Sequence, residues 1–190
     1  MADRFAQLFN KKRFGAGIDE APLTGDLYSL ERLEQHAISL AATHKVIPAP
    51  APGRNLLMRL EENERVLLNA YENLADAIRL ERTVSPAAEW LVDNFHIVEE
   101  QLREIREDLP ESYYAELPKL SEGELKGYPR IYAVALEIIS HTDSHLSLEI
   151  LERFIRAYQR ETALSIGELW AVAITLRLAL IENLRRLAAR

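Results

Sequence analysis

Asp93, His96 and Glu100 lie three and four residues apart, with Arg103 and Glu107 continuing the same spacing. On a helix that spacing puts all five on one face. Asp93, His96 and Glu100 together have the pattern of a metal half-site. A di-metal four-helix bundle needs a second carboxylate-x-x-His on a facing helix and two further glutamates. The sequence offers no second Glu-x-x-His. The competing reading is a solvated face stitched by (i, i+3) and (i, i+4) pairs such as Glu99 with Arg103. We adopt that reading and keep Asp93, His96, Glu100 and Arg103 as surface candidates only.

A second string, His141, Asp143 and His145, alternates by two. Such alternation converges side chains on a strand, but this string falls at a helix end and a turn. Asp143 and Ser144 have ordinary local hydrogen-bonding roles there. Tyr113 and Tyr114 follow Pro110 in a loop, so a surface role is open to them, with anchoring of the loop preferred. Trp90, Trp170, Tyr128 and Tyr132 sit at helical spacing and read as core. There is no Cys, no Gly-x-Ser-x-Gly turn and no Gly-rich phosphate loop. The expectation is therefore no catalytic residue, no metal ligand and no cofactor.

The elements that carry these residues are helical throughout. The chain has 190 residues, 48% hydrophobic and 28% charged, enough for one domain with a real core. Seven Gly and eight Pro imply few turns and long elements. Residues 1–24 read as an irregular arm, broken by Gly15, Gly17 and Pro22, and 25–190 as the helical domain. Ser29 caps a first helix that ends before the Pro48–Gly53 connector. A second runs from about Asn55 to Arg82, with Leu57, Leu60, Glu64, Leu67, Tyr71, Leu74 and Ile78 on its seam. Glu64 on that seam needs a polar partner or an edge.

Ser85-Pro86 starts a third helix with Leu91, Phe95, Val98, Leu102, Ile105 and Leu109 inward. Residues 110–128 read as a polar loop. A fourth helix runs from Pro129 to about Ser140. A fifth follows Ser147, with Leu148, Leu151, Phe154, Ile155 and Tyr158 inward. Ser165 and Glu168 form a capping box for the sixth, the most apolar. Arg177 interrupts that helix and must be paired, with Glu64 and Glu137 as candidate partners. The fold class is all-α, a bundle of about six helices with no sheet.

The net charge is −7. Residues 89–124 hold eleven Asp/Glu against three Lys/Arg. Such a surface does not neutralise phosphates, so nucleic acid is not an expected partner. The N-terminus lacks the apolar core of a secretory signal. The longest apolar run, LWAVAITLRLALI at 169–181, is shorter than the ~20 residues a membrane span needs.

Five strings resemble a known family: LYSLERLEQHAISLA (27–41), WLVDNFHIVEEQLREIREDLP (90–110), YYAELPKL (113–120), GYPRIYAVALEIISHTDSHL (127–146) and the closing 151–188. They are similar to the N-terminal region of the cyclic β-1,2-glucan synthases, large bacterial inner-membrane glycosyltransferases that use UDP-glucose. The glucosyltransferase signature, aspartates followed by Gln-x-x-Arg-Trp, is absent. The resemblance implies a non-catalytic helical module at the cytoplasmic face of the inner membrane. Its partner would be the remainder of a membrane glycosyltransferase polypeptide or complex. The alternative is a free-standing helical interaction module with an acidic face.

Overall fold

Each main helix starts at a residue that can hold its first free amides. Ser29 Oγ accepts from Arg32 N at the head of α1 (Leu30–Thr43). Asn55 Oδ1 accepts from Leu57 N and Met58 N at the head of α2 (Leu56–Arg79). Ser85 accepts from Ala88 N, with Pro86 first in α3 (Pro86–Asp93). Such caps replace the missing intrahelical partners. The computed structural model describes residues 21–51 and 53–189. Residues 1–20, most of the expected arm, lie outside the described residues.

The expected third helix is two. Asn94 has left the helical region at φ −113°, and its side-chain amide donates to Trp90 O at 2.8 Å. α3 ends there and α4 (Phe95–Asp108) begins. The apolar stripe survives the break, since Leu91, Phe95, Val98, Leu102, Ile105 and Leu109 are all buried.

Residues 110–128 are not a plain polar loop. They contain α5 (Glu111–Ala115) and a strand, β2 (Lys119–Leu120), antiparallel to β1 (Val46–Ile47), with Val46 opposite Leu120. Leu117, Lys119 and Leu120 are buried. The described residues thus hold eight helices and a two-stranded sheet rather than six helices and none. Two-residue strands carry no period, and a five-residue helix barely carries one.

α6 (Arg130–His141), α7 (Leu148–Tyr158) and α8 (Ile166–Ala188) complete the bundle. α8 is the hub, packed against α6, α2 and α4. α1 packs on α7, where Ala37 and Ala41 allow close approach to Phe154, Ala157 and Tyr158. The capping box of α8 is formed on both sides. α6 is even more enclosed than α8, because residues 130–136 are all buried while Leu169 and Trp170 on α8 face solvent. Leu148 is 73% exposed, not inward: it opens α7 ahead of its buried stripe. No helix among the described residues is long and apolar enough to cross a membrane.

Arg177 is paired, but not with Glu64 or Glu137. It meets Glu104 at 3.2 Å and Asp108 at 3.3 Å on α4, with its side chain 39% exposed. Glu64 does find a polar partner, Arg106. The deeply buried cations among the described residues are instead Arg59, Lys119, Arg130, Arg185 and Arg186.

Candidate functional site

The surface candidates do not form a joint site. Asp93 lies on α3, while His96, Glu100 and Arg103 lie on α4, and all four are exposed. Arg103 pairs loosely with Glu100 at 3.9 Å rather than with Glu99. Tyr113 donates to Gly167 O at 2.6 Å, and Tyr114 donates to Arg54 O. Both tie the 110–128 segment to neighbouring elements. A shallow recess lies beside Tyr114, lined by Gly53, Asn55, Leu57 and Glu111. Asp143 and Ser144 take left-handed φ values of 50° and 62° in the turn after α6. They do not join His141 in a cluster.

His141 belongs to a different constellation. On α6, Glu137 and His141 are four residues apart and share a face. α1 brings His36 to the same place. His36 Nε2 lies 2.8 Å from Glu137 Oε2, and His141 Nε2 lies 3.4 Å from the same oxygen. Among the described residues, this is the one trio of His, Asp or Glu side chains whose ligand atoms are close enough to share an ion, all within 4.8 Å. Burial pushes the Glu137 carboxyl up, but the His36 hydrogen bond and the charges of His36 and His141 outweigh it and hold its pKa below the ordinary value.

The segment before α1 fastens His141. Its Nδ1 lies 2.8 Å from Asp26 O. Tyr28 stacks on the ring at 4.0 Å and 8°. His36 meets the ring edge-on at 4.7 Å. Gly25 comes so close that an added Cβ would stand 2.7 Å from His141 Nδ1 and Cε1.

Two charged networks lie deeper. Arg130 grips Glu168 with two bonds, and Tyr158 hydroxyl lies 2.7 Å from His44 Nδ1. Burial and the nearby Arg130 charge push His44 down to about 4, and burial pushes Tyr158 up to about 12. Both are therefore neutral at pH 7 and share one hydrogen bond. In the second network, Glu182 accepts from Arg59 at 2.6 and 3.0 Å, Arg185 at 3.1 Å and Arg186 at 2.8 Å. Burial would raise the Glu182 pKa, but the Arg59 bonds and the three guanidinium charges hold it at about 2.

A stretch of 132 residues, 70% of the chain, is 42% identical to the cyclic beta-(1,2)-glucan synthase NdvB of Rhizobium meliloti (strain 1021). The chain is similar to a piece of a cyclic β-1,2-glucan synthase. The resemblance carried by the strings from Leu27 onward is thus met by a curated relative. The matched stretch is only 5% of NdvB's length. No family model matches the chain.

The His36 cluster was not legible in the sequence, because His36 and Glu137 are 101 residues apart. Its one local signal is Glu137-x-x-x-His141, which places a carboxylate and an imidazole on one helix face. The buried arginines were equally hidden: Arg59 and Arg130 meet Glu182 and Glu168 only through packing of α2, α6 and α8, and the local spacing of Arg185 and Arg186 to Glu182 says nothing of their burial.

Proposed function

We propose that this chain is a non-catalytic helical module of the machinery that polymerises glucose from UDP-glucose into β-1,2-glucan. It supports a glucosyltransferase that lies elsewhere in the same polypeptide or complex, at the cytoplasmic face of the inner membrane. The observation that carries this reading is the 42% identity to NdvB over 132 residues. Charge placement supports the non-catalytic part. Nucleotide-sugar transfer needs positive charge at the leaving diphosphate. The clustered arginines, Arg59, Arg185 and Arg186, are turned inward onto Glu182, and Arg130 onto Glu168. The exposed face of α4 is acidic and repels a diphosphate. Interlocked buried charges tie α2, α6 and α8 in one arrangement, which suits a rigid support.

The test is to incubate the 190-residue chain with UDP-glucose and magnesium. No glucan is expected, and glucan made by this chain alone overturns the non-catalytic reading. Removal of the matching region from a full synthase should lower its glucan output. Unchanged output with the region absent overturns the supporting role.

A second reading, an interaction module with an acidic face, rests on one surface. Glu99, Glu100 and Glu107 are exposed on α4, with Ile97, 42% exposed, on the same helix and Trp90, 57% exposed, on α3. A natural polypeptide carrying no glucosyltransferase, with none encoded beside it, would favour this reading over the first.

A further inference from the structure

We propose that His36, Glu137 and His141 bind one divalent transition-metal ion, zinc by the chemistry of its ligands. This inference does not depend on the relationship to glucan synthases. It replaces the sequence expectation of no metal, which rested on local spacing and could not see ligands 101 residues apart.

The geometry comes first. Tetrahedral zinc holds nitrogen and oxygen ligands at about 2.0–2.2 Å, so its ligand atoms stand roughly 3.3–3.5 Å from one another. His141 Nε2 is already 3.4 Å from Glu137 Oε2, and His36 Nε2 is 2.8 Å from it. All three ligand atoms lie within 4.8 Å of one another. Small side-chain adjustments admit the ion, with no change in either helix.

The protonation pattern comes second. Asp26 O can only accept, so His141 carries a proton on Nδ1, 2.8 Å away. In the neutral ring, Nε2 is then the atom with the lone pair, and it faces Glu137. A lone pair 3.4 Å from a carboxylate oxygen is repulsive. A cation held between them turns that repulsion into coordination. A backbone carbonyl fixing the far nitrogen is the arrangement that orients metal-binding histidines in general. His36 Nε2 donates to Glu137 in the structure, so ion binding displaces that proton and leaves His36 neutral with its proton on Nδ1.

The surroundings come third. Gly25 N donates to Ser140 O at 2.9 Å and Tyr28 N to His141 O at 3.2 Å, so the segment over the ring is itself fastened. Stacked Tyr28 and the close backbone at Gly25 leave His141 little freedom. Ligands held in place before binding lose less entropy on binding.

The ligand set selects the ion. Two imidazoles and one carboxylate suit zinc and also ferrous iron, with zinc favoured by the general affinity order, whereas magnesium and calcium prefer all-oxygen sets. Three protein ligands leave a fourth position. The side chains of His36, His141 and Glu137 are 25%, 13% and 36% exposed, so solvent reaches the site. Water fills that position, as in open zinc sites. The ion would clamp α1 to α6.

The experiment uses the whole chain, stripped with a chelator and dialysed. Zinc chloride is titrated by calorimetry, with magnesium chloride in a parallel run. One zinc per chain, a rise in melting temperature and no response to magnesium are expected. Cobalt should give the intense visible absorption of a tetrahedral site. His36→Gln and His141→Gln should each weaken zinc binding by at least about tenfold. His96→Gln and His145→Gln, at exposed positions, should bind as the parent does. Circular dichroism establishes that each variant is folded. Parent protein without stoichiometric zinc binding overturns the proposal, whatever the variants do. Zinc binding that persists in folded His141→Gln also overturns it.

Discussion

Arg130 and Glu168 meet as a two-bond pair across 38 residues, Nε to Oε1 at 2.8 Å and Nη2 to Oε2 at 2.7 Å. The same carboxylate accepts from Ser165 N at 2.8 Å, so one side chain closes the cap of α8 and fastens α6 to it. Both residues are buried. Arg130→Met strands the carboxylate and is expected to cost about 3–5 kcal/mol. Urea denaturation at neutral pH measures it. Adding Glu168→Gln to that variant should recover part of the loss, because no charge is then left buried alone. Losses that simply add would show that the two residues do not act as a unit.

Glu182 and Arg177 make a contrasting pair on the same helix. Glu182→Gln leaves Arg185 and Arg186 without a counter-charge and Arg59 with only Glu62, at 3.3 Å, and a loss of about 3 kcal/mol or more is expected. Arg177→Ala removes contacts to Glu104 and Asp108 at a side chain that is 39% exposed. Solvent screens such a pair, so the expected change is within ~1 kcal/mol. Denaturation midpoints of the two variants under one set of conditions test the ranking.

That ranking also marks where the sequence stopped being readable. Arg177 stood out because it interrupts an apolar run, yet it lies at the edge of α8. Arg59, Arg130, Arg185 and Arg186 sit in ordinary charged surroundings in the sequence, and only packing reveals their burial. Capping was legible, since Ser29, Ser85, Ser147 and Ser165 act within three residues of themselves. The stripe from Leu91 to Leu109 was legible because its period survived the break at Asn94. The break itself was hidden, because Asn94 ends α3 through a side-chain bond that no period records. The candidate site was the least legible part, its ligands being brought together by two separate helices.

Three glycines should respond differently to alanine. At Gly53 a Cβ would stand 2.5 Å from Gly127 O, a backbone atom that no rotamer change can move. At Gly25 it would stand 2.7 Å from the His141 ring and 2.8 Å from Ser140 Oγ. Each substitution should cost about 1–3 kcal/mol. Gly25→Ala should also displace His141, visible as a shift of its imidazole proton resonances. Gly123 has φ +80° with nothing within 4 Å, so its alanine variant should cost only the backbone strain, about 1–2 kcal/mol. Equal melting temperatures for Gly53→Ala and the parent would show that the backbone there yields freely.

Acid should loosen the fold through His44. The group faces the Tyr158 hydroxyl and Arg130, with the Glu137 charge acting in the opposite sense. Its folded-state pKa is about 4, against 6.5 for an ordinary solvent-exposed imidazole. Above pH 6.5 the imidazole is neutral in both states and costs nothing. As pH falls below that, the unfolded chain takes up a proton that the folded chain refuses. Stability drops by up to about 1.4 kcal/mol per pH unit until the folded form also protonates near pH 4. His44→Asn keeps an acceptor for Tyr158 and removes the titration. Denaturation midpoints between pH 7.5 and pH 4.5 should fall less steeply in that variant. Parallel profiles for variant and parent would exclude His44 as the cause.

Asn63 on α2 offers a gain rather than a loss. It is fully buried, and neither its amide nitrogen nor its amide oxygen has a hydrogen-bond partner. A buried polar group without a partner costs about 1–3 kcal/mol. It lies one helical turn from Arg59 and from Leu67, so its surroundings mix the Glu182 network with the apolar seam of α2. Leucine has the same branching at Cγ and nothing to satisfy. Asn63→Leu is therefore expected to raise stability by about 1 kcal/mol, the relief of the amide being partly offset by the strain of two larger terminal groups. Asn63→Ala relieves the amide without that strain but leaves a void, so it should gain less or lose slightly. Urea midpoints of both variants against the parent decide the matter. Losses of more than about 1 kcal/mol in both Asn63→Leu and Asn63→Ala would mean that the amide is held in the folded protein.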